Sequence, residues 1–203
     1  MSEVIQSAIS RHRRAIQGLA QKVDLLAKIA QALHIAILNN RQIFVCGNGG
    51  SAADAQHIAA EFIGRFKKKS RPPIAAIALT TDTSALTAIA NDFGWEKVFS
   101  RQIEGLARPK DIVWVLSTSG RSHNILEAMR AARAIGAYTI GFTGISPPQE
   151  FFDMSDWCFR ADGEDTGPGV EVGGARRPER EATVLKSGPP WPCTPIPWLS
   201  VVL

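Results

Sequence analysis

The chain has 203 residues, 45% of them hydrophobic and 21% charged, and a formal net charge of +4; this favours one globular domain over two. Its positive charges are spread over several short segments with few aromatic residues among them, so we predict no nucleic-acid partner. No segment reaches the roughly 18 apolar residues of a membrane span, and three cysteines without metal-ligand spacing favour a reducing compartment, so we expect a cytoplasmic protein without membrane contact.

The first 40 residues are predicted to form two amphipathic helices, because apolar residues recur at intervals of three and four between Val4 and Ile37. Residues 18–22 break the pattern, and Asn39-Asn40 ends the second helix. Neither helix can bury its apolar face alone. We therefore expect residues 1–40 to pack on a sheet or on a partner subunit.

From residue 41 onward, short apolar runs rich in β-branched residues alternate with helical patterns. The predicted strands are Ile43–Cys46, Ile74–Leu79, Ile112–Leu116, Tyr138–Phe142 and Asp156–Arg160, and the predicted helices are Ser51–Arg65, Thr83–Asn91, Trp95–Leu106 and Ser122–Ile135. This alternation indicates an α/β fold with a doubly wound, mainly parallel five-stranded sheet in a flavodoxin-like three-layer α/β/α arrangement. We assign it to residues 41–166.

A glycine-rich segment, Gly47-Asn48-Gly49-Gly50-Ser51, lies between the first predicted strand and a predicted helix. Glycines let backbone N–H groups approach an anion, and a helix N-terminus favours negative charge. Ser51 suits the N-cap position and can offer its hydroxyl to the same anion. A tight turn with a capped helix explains the segment equally well by itself, and the spacing does not predict a dinucleotide.

A second polar loop follows another predicted strand and favours a binding role for both loops. Its hydroxyl groups belong to Ser117, Thr118, Ser119 and Ser122. Hydroxyls and backbone amides at a helix N-terminus can hold a phosphate group. A serine-rich loop with a helix cap is the alternative. Two such loops at strand ends make a phosphorylated small molecule the predicted ligand.

His57 and Glu61 are four residues apart in the helix that the glycine-rich segment opens. This spacing places them on one helical face, where they can ligate a metal together or pair an acid with a base. A purely structural histidine is the alternative. The helix begins at the same strand end as the glycines, which favours a role for both residues in a ligand-binding crevice at that strand end.

Five motifs together carry a resemblance to a known family. They are Gly47–Phe62, Leu79–Ser84, Ala90–Gly94, Phe99–Gln102 and Ser117–Ser122. In order and spacing they resemble the phosphoheptose isomerases of the sugar isomerase (SIS) domain class, over residues 1–144. Asn91 and Asp92, within the third motif, are otherwise ordinary residues at the end of a helix.

The resemblance implies an isomerase that interconverts sedoheptulose 7-phosphate and D-glycero-D-manno-heptose 7-phosphate, a step towards the heptose of lipopolysaccharide core or related surface sugars. It implies a cytoplasmic homotetramer with one zinc ion per subunit and active sites shared between subunits. Residues 41–166 then correspond to the SIS sugar-phosphate-binding domain.

The resemblance also assigns roles to individual residues. The substrate loop corresponds to Asn48, Gly49, Gly50 and Ser51, and the phosphate loop to Ser117, Thr118, Ser119 and Ser122. Asn91 and Asp92 correspond to substrate contacts. His57 and Glu61 correspond to metal ligands, with Glu61 also the catalytic base. The chemistry agrees, because moving a carbonyl between adjacent carbons needs a base and stabilisation of an enediol.

The last segment departs from the family. Members continue into a helix with a glutamine and a histidine that complete the zinc site, but no glutamine or histidine occurs here after residue 150. Residues 167–203 instead hold seven of the 12 prolines, which predicts an irregular tail. We hypothesise a reading-frame change in the gene. Zinc would then have two protein ligands instead of the usual three or four, and activity is expected to suffer.

Two alternatives stay open from the sequence. One is a non-catalytic SIS module that binds a phosphosugar or a replication-initiator partner; such modules need not keep His57 and Glu61. The other is an aldose–ketose isomerase for a different phosphosugar, because loops that hold phosphate say little about the length of the sugar.

Overall fold

A parallel five-stranded sheet forms the centre of the computed structural model, which describes residues 2–67, 70–144 and 146–161. The strands are β1 (Ile43–Gly47), β2 (Ala76–Ala78), β3 (Ile112–Ser117), β4 (Tyr138–Thr143) and β5 (Trp157–Arg160). Their order is β2-β1-β3-β4-β5, and each neighbouring pair is parallel. This confirms the predicted doubly wound α/β fold, with all of the pairings parallel.

The helices fall close to the predicted segments. They are α1 (Ser2–Ala20), α2 (Val23–Leu38), α3 (Gly50–Ile63), α4 (Thr83–Phe93), α5 (Ser100–Leu106), α6 (His123–Ile135) and α7 (Gln149–Asp153). The predicted helix Trp95–Leu106 is divided in the structure into a 3₁₀ turn at Trp95–Lys97 and the shorter α5. The five-residue α7 was not predicted, because it is too short for a helical repeat of apolar residues to be visible.

Two hydrophobic clusters cover the two faces of the sheet. One contains residues of α2 and α3, such as Leu33 and Phe62, packed on Trp114 of β3. The other contains residues of α5, α6 and α7, among them Met129 and Phe151. All six residues of β3 are buried, as expected of a central parallel strand with helices on both faces. The three-layer arrangement follows from this double coverage.

The two N-terminal helices differ in burial. Helix α2 buries residues such as Leu33 against the sheet, whereas in α1 Gly18 alone is buried. Val4 is 71% exposed and Ile16 51% exposed. The expected packing on the sheet therefore applies to α2, and packing of α1 on a partner subunit stays a prediction. Residues 167–203, predicted to be irregular, lie outside the described residues, and none of the described helices is long and apolar enough to cross a membrane.

Candidate active site

The two polar loops lie side by side at one edge of the sheet. Strands β1 and β3 are neighbours, and their last paired residues are Gly47 and Leu116. The glycine loop (residues 48–51) leaves β1, and the serine loop (residues 117–122) leaves β3. In this strand order the chain changes direction between β1 and β3, which is the place where doubly wound sheets bind ligands.

The glycine loop opens α3 without help from a side chain. Gly49 has a φ of +57° and precedes the first residue of the helix, and no side chain caps that end. The sequence placed Ser51 at the N-cap, but the helix begins at Gly50, so Ser51 lies in the first turn. A glycine is needed here because L-residues with a side chain rarely adopt this φ. The loop thus offers uncovered backbone and the Ser51 side chain at the start of α3.

The serine loop keeps its shape through its own hydroxyl groups. Ser117 Oγ accepts a hydrogen bond of 3.1 Å from the Gly120 amide, and Ser119 Oγ accepts one of 3.2 Å from the Arg121 amide. Ser122 is the N-cap residue of α6, yet its side chain makes no capping hydrogen bond. Its hydroxyl is therefore not used by the helix, at an end that favours anions.

His57 and Glu61 lie one turn apart on α3, as predicted. His57 Nε2 is 3.8 Å from Glu61 Oε1, and the side chains are 61% and 31% exposed. That separation is too long for a hydrogen bond but allows an ion pair when the imidazole is protonated. Glu61 is the more sheltered of the two.

A cavity of about 700 Å³ lies at this edge of the sheet. It is lined by Ser51, Asp54, His57 and Ile58 of α3, by Leu116, Ser117 and Thr118, by Phe142, Thr143 and Gly144, and by Phe159 and Ala161. Its volume is in the range of small-molecule sites, and its wall combines apolar residues with a few polar groups. Four residues predicted from the sequence thus share one cavity: Ser51, His57, Ser117 and Thr118.

The remaining predicted residues lie outside that wall. Glu61 is one turn beyond His57 on α3, and Asn48, Gly49, Gly50, Ser119 and Ser122 belong to the two loops beside the cavity. Asn91 and Asp92 are exposed near the end of α4, where Asn91 Nδ2 donates a hydrogen bond of 2.8 Å to Asp92 Oδ1. The described residues of this single chain do not bring that pair to the cavity.

Several residues of the site were missed by the sequence analysis. Asp54 lies between Ser51 and His57 at three-residue spacing, so the helical periodicity of the sequence could have indicated that it lines the same face. Thr143 ends β4, and its buried hydroxyl has no hydrogen-bond partner among the described residues. The Arg71 guanidinium donates to the carbonyl of Glu61 at 2.6 Å; burial lowers its pKa, and the negative charge of Glu61 opposes that change. No local pattern pointed to Thr143 or Arg71.

The described residues do not fit a metal ion by themselves. They contain no group of three or more histidine, cysteine, aspartate or glutamate side chains that could hold one. His57 and Glu61 supply two ligands, whereas catalytic zinc usually takes three from the protein.

Comparison with known proteins places this geometry in a family. The SIS domain model matches residues 8–144. The phosphoheptose isomerase of Bradyrhizobium sp. (strain BTAi1 / ATCC BAA-1182) is 54% identical over 145 residues, which cover 70% of this chain and 73% of that protein. The phosphoheptose isomerase of Roseiflexus sp. (strain RS-1) is 51% identical over 168 residues, covering 83% of each.

The solved structures agree with the sequence relatives. A phosphoheptose isomerase from Neisseria gonorrhoeae superposes with a TM-score of 0.71 at 36% identity, over 86% of this chain and 87% of that one. One from Francisella tularensis gives 0.71 at 30% identity, over 81% and 89%. The chain therefore belongs to the SIS domain family and, within it, to the phosphoheptose isomerases, a class of sugar-phosphate isomerase enzymes.

Proposed function

We propose that this chain is an aldose–ketose isomerase that interconverts sedoheptulose 7-phosphate and D-glycero-D-manno-heptose 7-phosphate. The relatives' names support a phosphorylated heptose as the substrate. The observation that carries the proposal is the cavity at the junction of β1 and β3, which combines hydroxyls of both polar loops with His57. A phosphosugar needs both features, a cradle for its phosphate and a proton-transferring group near its carbonyl end.

The serine loop is the proposed phosphate site. Ser117 and Thr118 face the cavity, and Ser122 caps α6 without using its hydroxyl. Amides at a helix N-terminus and neutral hydroxyls stabilise a phosphate without a lysine. A phosphate held here fixes the position of the far end of the sugar, where the reaction takes place.

Glu61 is the proposed base at the other end. In the direction from ketose to aldose, its carboxylate removes a proton from C1, the C1–C2 bond gains double-bond character, and an enediol forms. The proton then returns to C2, while the hydroxyl proton passes from O1 to O2. His57, which lines the cavity 3.8 Å from Glu61, is the nearest group for that second transfer.

The family resemblance favours one zinc ion per subunit, with His57 and Glu61 as two of its ligands; the family's glutamine and histidine ligands have no counterpart after residue 150. Elemental analysis of the purified protein tests this, with an expected content near one ion per chain; a content near zero excludes it.

The exposed apolar side chains of α1 support a homo-oligomer, proposed as a cytoplasmic tetramer. The proposed role is supply of heptose for lipopolysaccharide core.

A second candidate is a phosphosugar-binding SIS module without turnover, which includes a module that binds a replication-initiator partner. One observation favours it: the described residues give a metal two ligands and no third. This candidate shares the serine loop with the first and differs in needing neither His57 nor Glu61.

A turnover assay on sedoheptulose 7-phosphate distinguishes the two candidates. The wild-type protein is compared with Glu61→Gln, which keeps the shape of the side chain, and with Glu104→Gln, an exposed glutamate of α5. We expect turnover in the wild type and in Glu104→Gln, and a loss of about 100-fold or more in Glu61→Gln. Binding of the sugar phosphate without turnover in any sample would support the non-catalytic module. Full activity in Glu61→Gln would remove Glu61 as the base.

A further inference from the structure

Two asparagine side chains join the polar loops across the junction of β1 and β3. Asn48 Nδ2 donates to Asn124 Oδ1 at 2.9 Å, and Asn124 Nδ2 donates to Asn48 Oδ1 at 2.8 Å. Asn48 belongs to the glycine loop. Asn124 is the second residue of α6, the helix that directly follows the serine loop. Asn124 is 3% exposed and Asn48 is partly buried. Two parallel hydrogen bonds of this kind fix orientation as well as distance.

This pair is the one direct side-chain tie between the loops in the described part of the chain. Beyond Gly47 and Leu116, where the pairing of β1 and β3 ends, no other hydrogen bond between described residues joins residues 48–51 to residues 117–124. The glycine loop in turn is tied to α3, because the Ser51 amide donates to the Asn48 carbonyl at 3.0 Å. A displacement of Asn48 would therefore pass to the start of α3.

We propose that Asn124 is a positioning residue for the isomerase reaction: through Asn48 it holds α3, with His57 and Glu61, in register with the phosphate site of the serine loop. The proposal rests on the function proposed above. Neither side chain is ionisable, so the tie holds over the whole working pH range. Because both polar atoms of the Asn48 amide are engaged, its side chain acts mainly in this tie, and one N–H of Nδ2 is left to reach a substrate.

The expected kinetic effect follows from where the tie acts. Loss of the pair leaves the phosphate loop with its own hydrogen bonds at Ser117 and Ser119, so substrate is still held by its phosphate. The base on α3 is then poorly aligned with the reacting carbon, and a misplacement of about 1 Å can cost about 100-fold in rate. Asn124→Ala is expected to lower kcat by about 10- to 100-fold and to change KM by less than about threefold.

The experiment uses Asn124→Ala, Asn48→Ala and the double variant in the full chain. Asn39→Ala, an exposed asparagine with one hydrogen bond at the end of α2, is the matched control, expected to keep wild-type kcat. Because the two asparagines act as one unit, the double variant should lose no more kcat than the worse single variant. The pH profile of kcat should keep its shape, since no ionisable group is removed. A rise in KM at wild-type kcat, or multiplicative losses in the double variant, would overturn the proposal.

A second measurement keeps the inference separate from the proposed function. Amide hydrogen exchange of residues 48–52 should accelerate in Asn124→Ala relative to wild type and to Asn39→Ala, since the glycine loop has lost its anchor. If the wild type turns over no heptose phosphate, the proposed function fails. The hydrogen-exchange result alone then tests whether the Asn48–Asn124 pair holds the glycine loop. Unchanged exchange at residues 48–52 would then overturn it. If Asn124→Ala does not fold, the same exchange measurement is made on Asn48→Ala, whose substitution lies in the more exposed loop.

Discussion

Replacing Gly120 by alanine tests whether the serine loop depends on a residue without a side chain. Gly120 has a φ of +63°, and an L-residue with a side chain pays about 1 kcal/mol in this region. A Cβ atom here would lie 2.7 Å from Pro147 Cβ and 3.3 Å from Phe151 Cγ. Neither atom can swing away, since one belongs to a proline ring and the other to a buried ring. Such crowding adds about 1–3 kcal/mol, so Gly120→Ala should lower the free energy of unfolding by about 2–4 kcal/mol.

Gly49→Ala is a comparison variant with a positive φ but without crowding. Gly49 has a φ of +57°, but a Cβ atom there would meet nothing within 4 Å. We expect a loss of about 1–3 kcal/mol, from the backbone alone, because its ψ of −120° lies outside the left-handed helical region. Thermal and urea unfolding of both variants measure the difference, and 1 kcal/mol corresponds to roughly 2–4 °C in Tm for a chain of this size. A loss of about 1 kcal/mol or less in Gly120→Ala, no larger than the backbone cost alone, would refute the argument from crowding.

Three further predictions concern residues around the site. Thr143→Val removes a buried hydroxyl that has no hydrogen-bond partner among the described residues. The free energy of unfolding should therefore rise by about 1 kcal/mol and Tm with it, and a fall in Tm contradicts this. Because Thr143 lines the cavity, KM for the sugar phosphate should also rise if the ligand uses that hydroxyl. Arg71→Met removes the donor to two carbonyls at the end of α3 and should lower stability in urea by about 1 kcal/mol, whereas the exposed Arg65→Met should not. Lys97 and a neighbouring arginine lower the pKa of Glu127, so its stabilisation is present above the ordinary pKa of 4.5 and is lost as the pH falls through the lower folded value. Glu127→Gln should therefore lower Tm at pH 7, by about 1 kcal/mol or less, with the gap closing below pH 4.5; a gap independent of pH contradicts the assignment.

Much of the fold could be predicted because its signals are local. Ile43–Val45 and Ile112–Leu116 are apolar at consecutive positions, which a strand buried on both faces requires, and all of them are buried. Helix ends were less certain. The sequence put Ser51 at an N-cap because serine is a common cap, but the N-cap residue is Gly49, which has a positive φ, and the helix begins at Gly50.

The candidate site divides in the same way. Ser51, His57, Ser117 and Thr118 were predictable because strand ends and helix starts are visible in the sequence, and the structure lines one cavity with them. Thr143 and Asn124 were not predictable. Thr143 shares the cavity wall with residues of α3, and Asn124 bonds to Asn48, which is 76 residues away. No local spacing in the sequence indicates either contact.

The sequence by itself determined that two polar loops open helices at the carboxyl ends of buried parallel strands, because burial and glycine content are local properties of the chain. Tertiary structure alone decided that β1 lies directly beside β3, although β2 comes between them in the sequence. That neighbour relation brings Asn48 within hydrogen-bond distance of Asn124, 76 residues away. Strand order depends on how the helices pack over both faces of the sheet, which is a property of the folded chain as a whole.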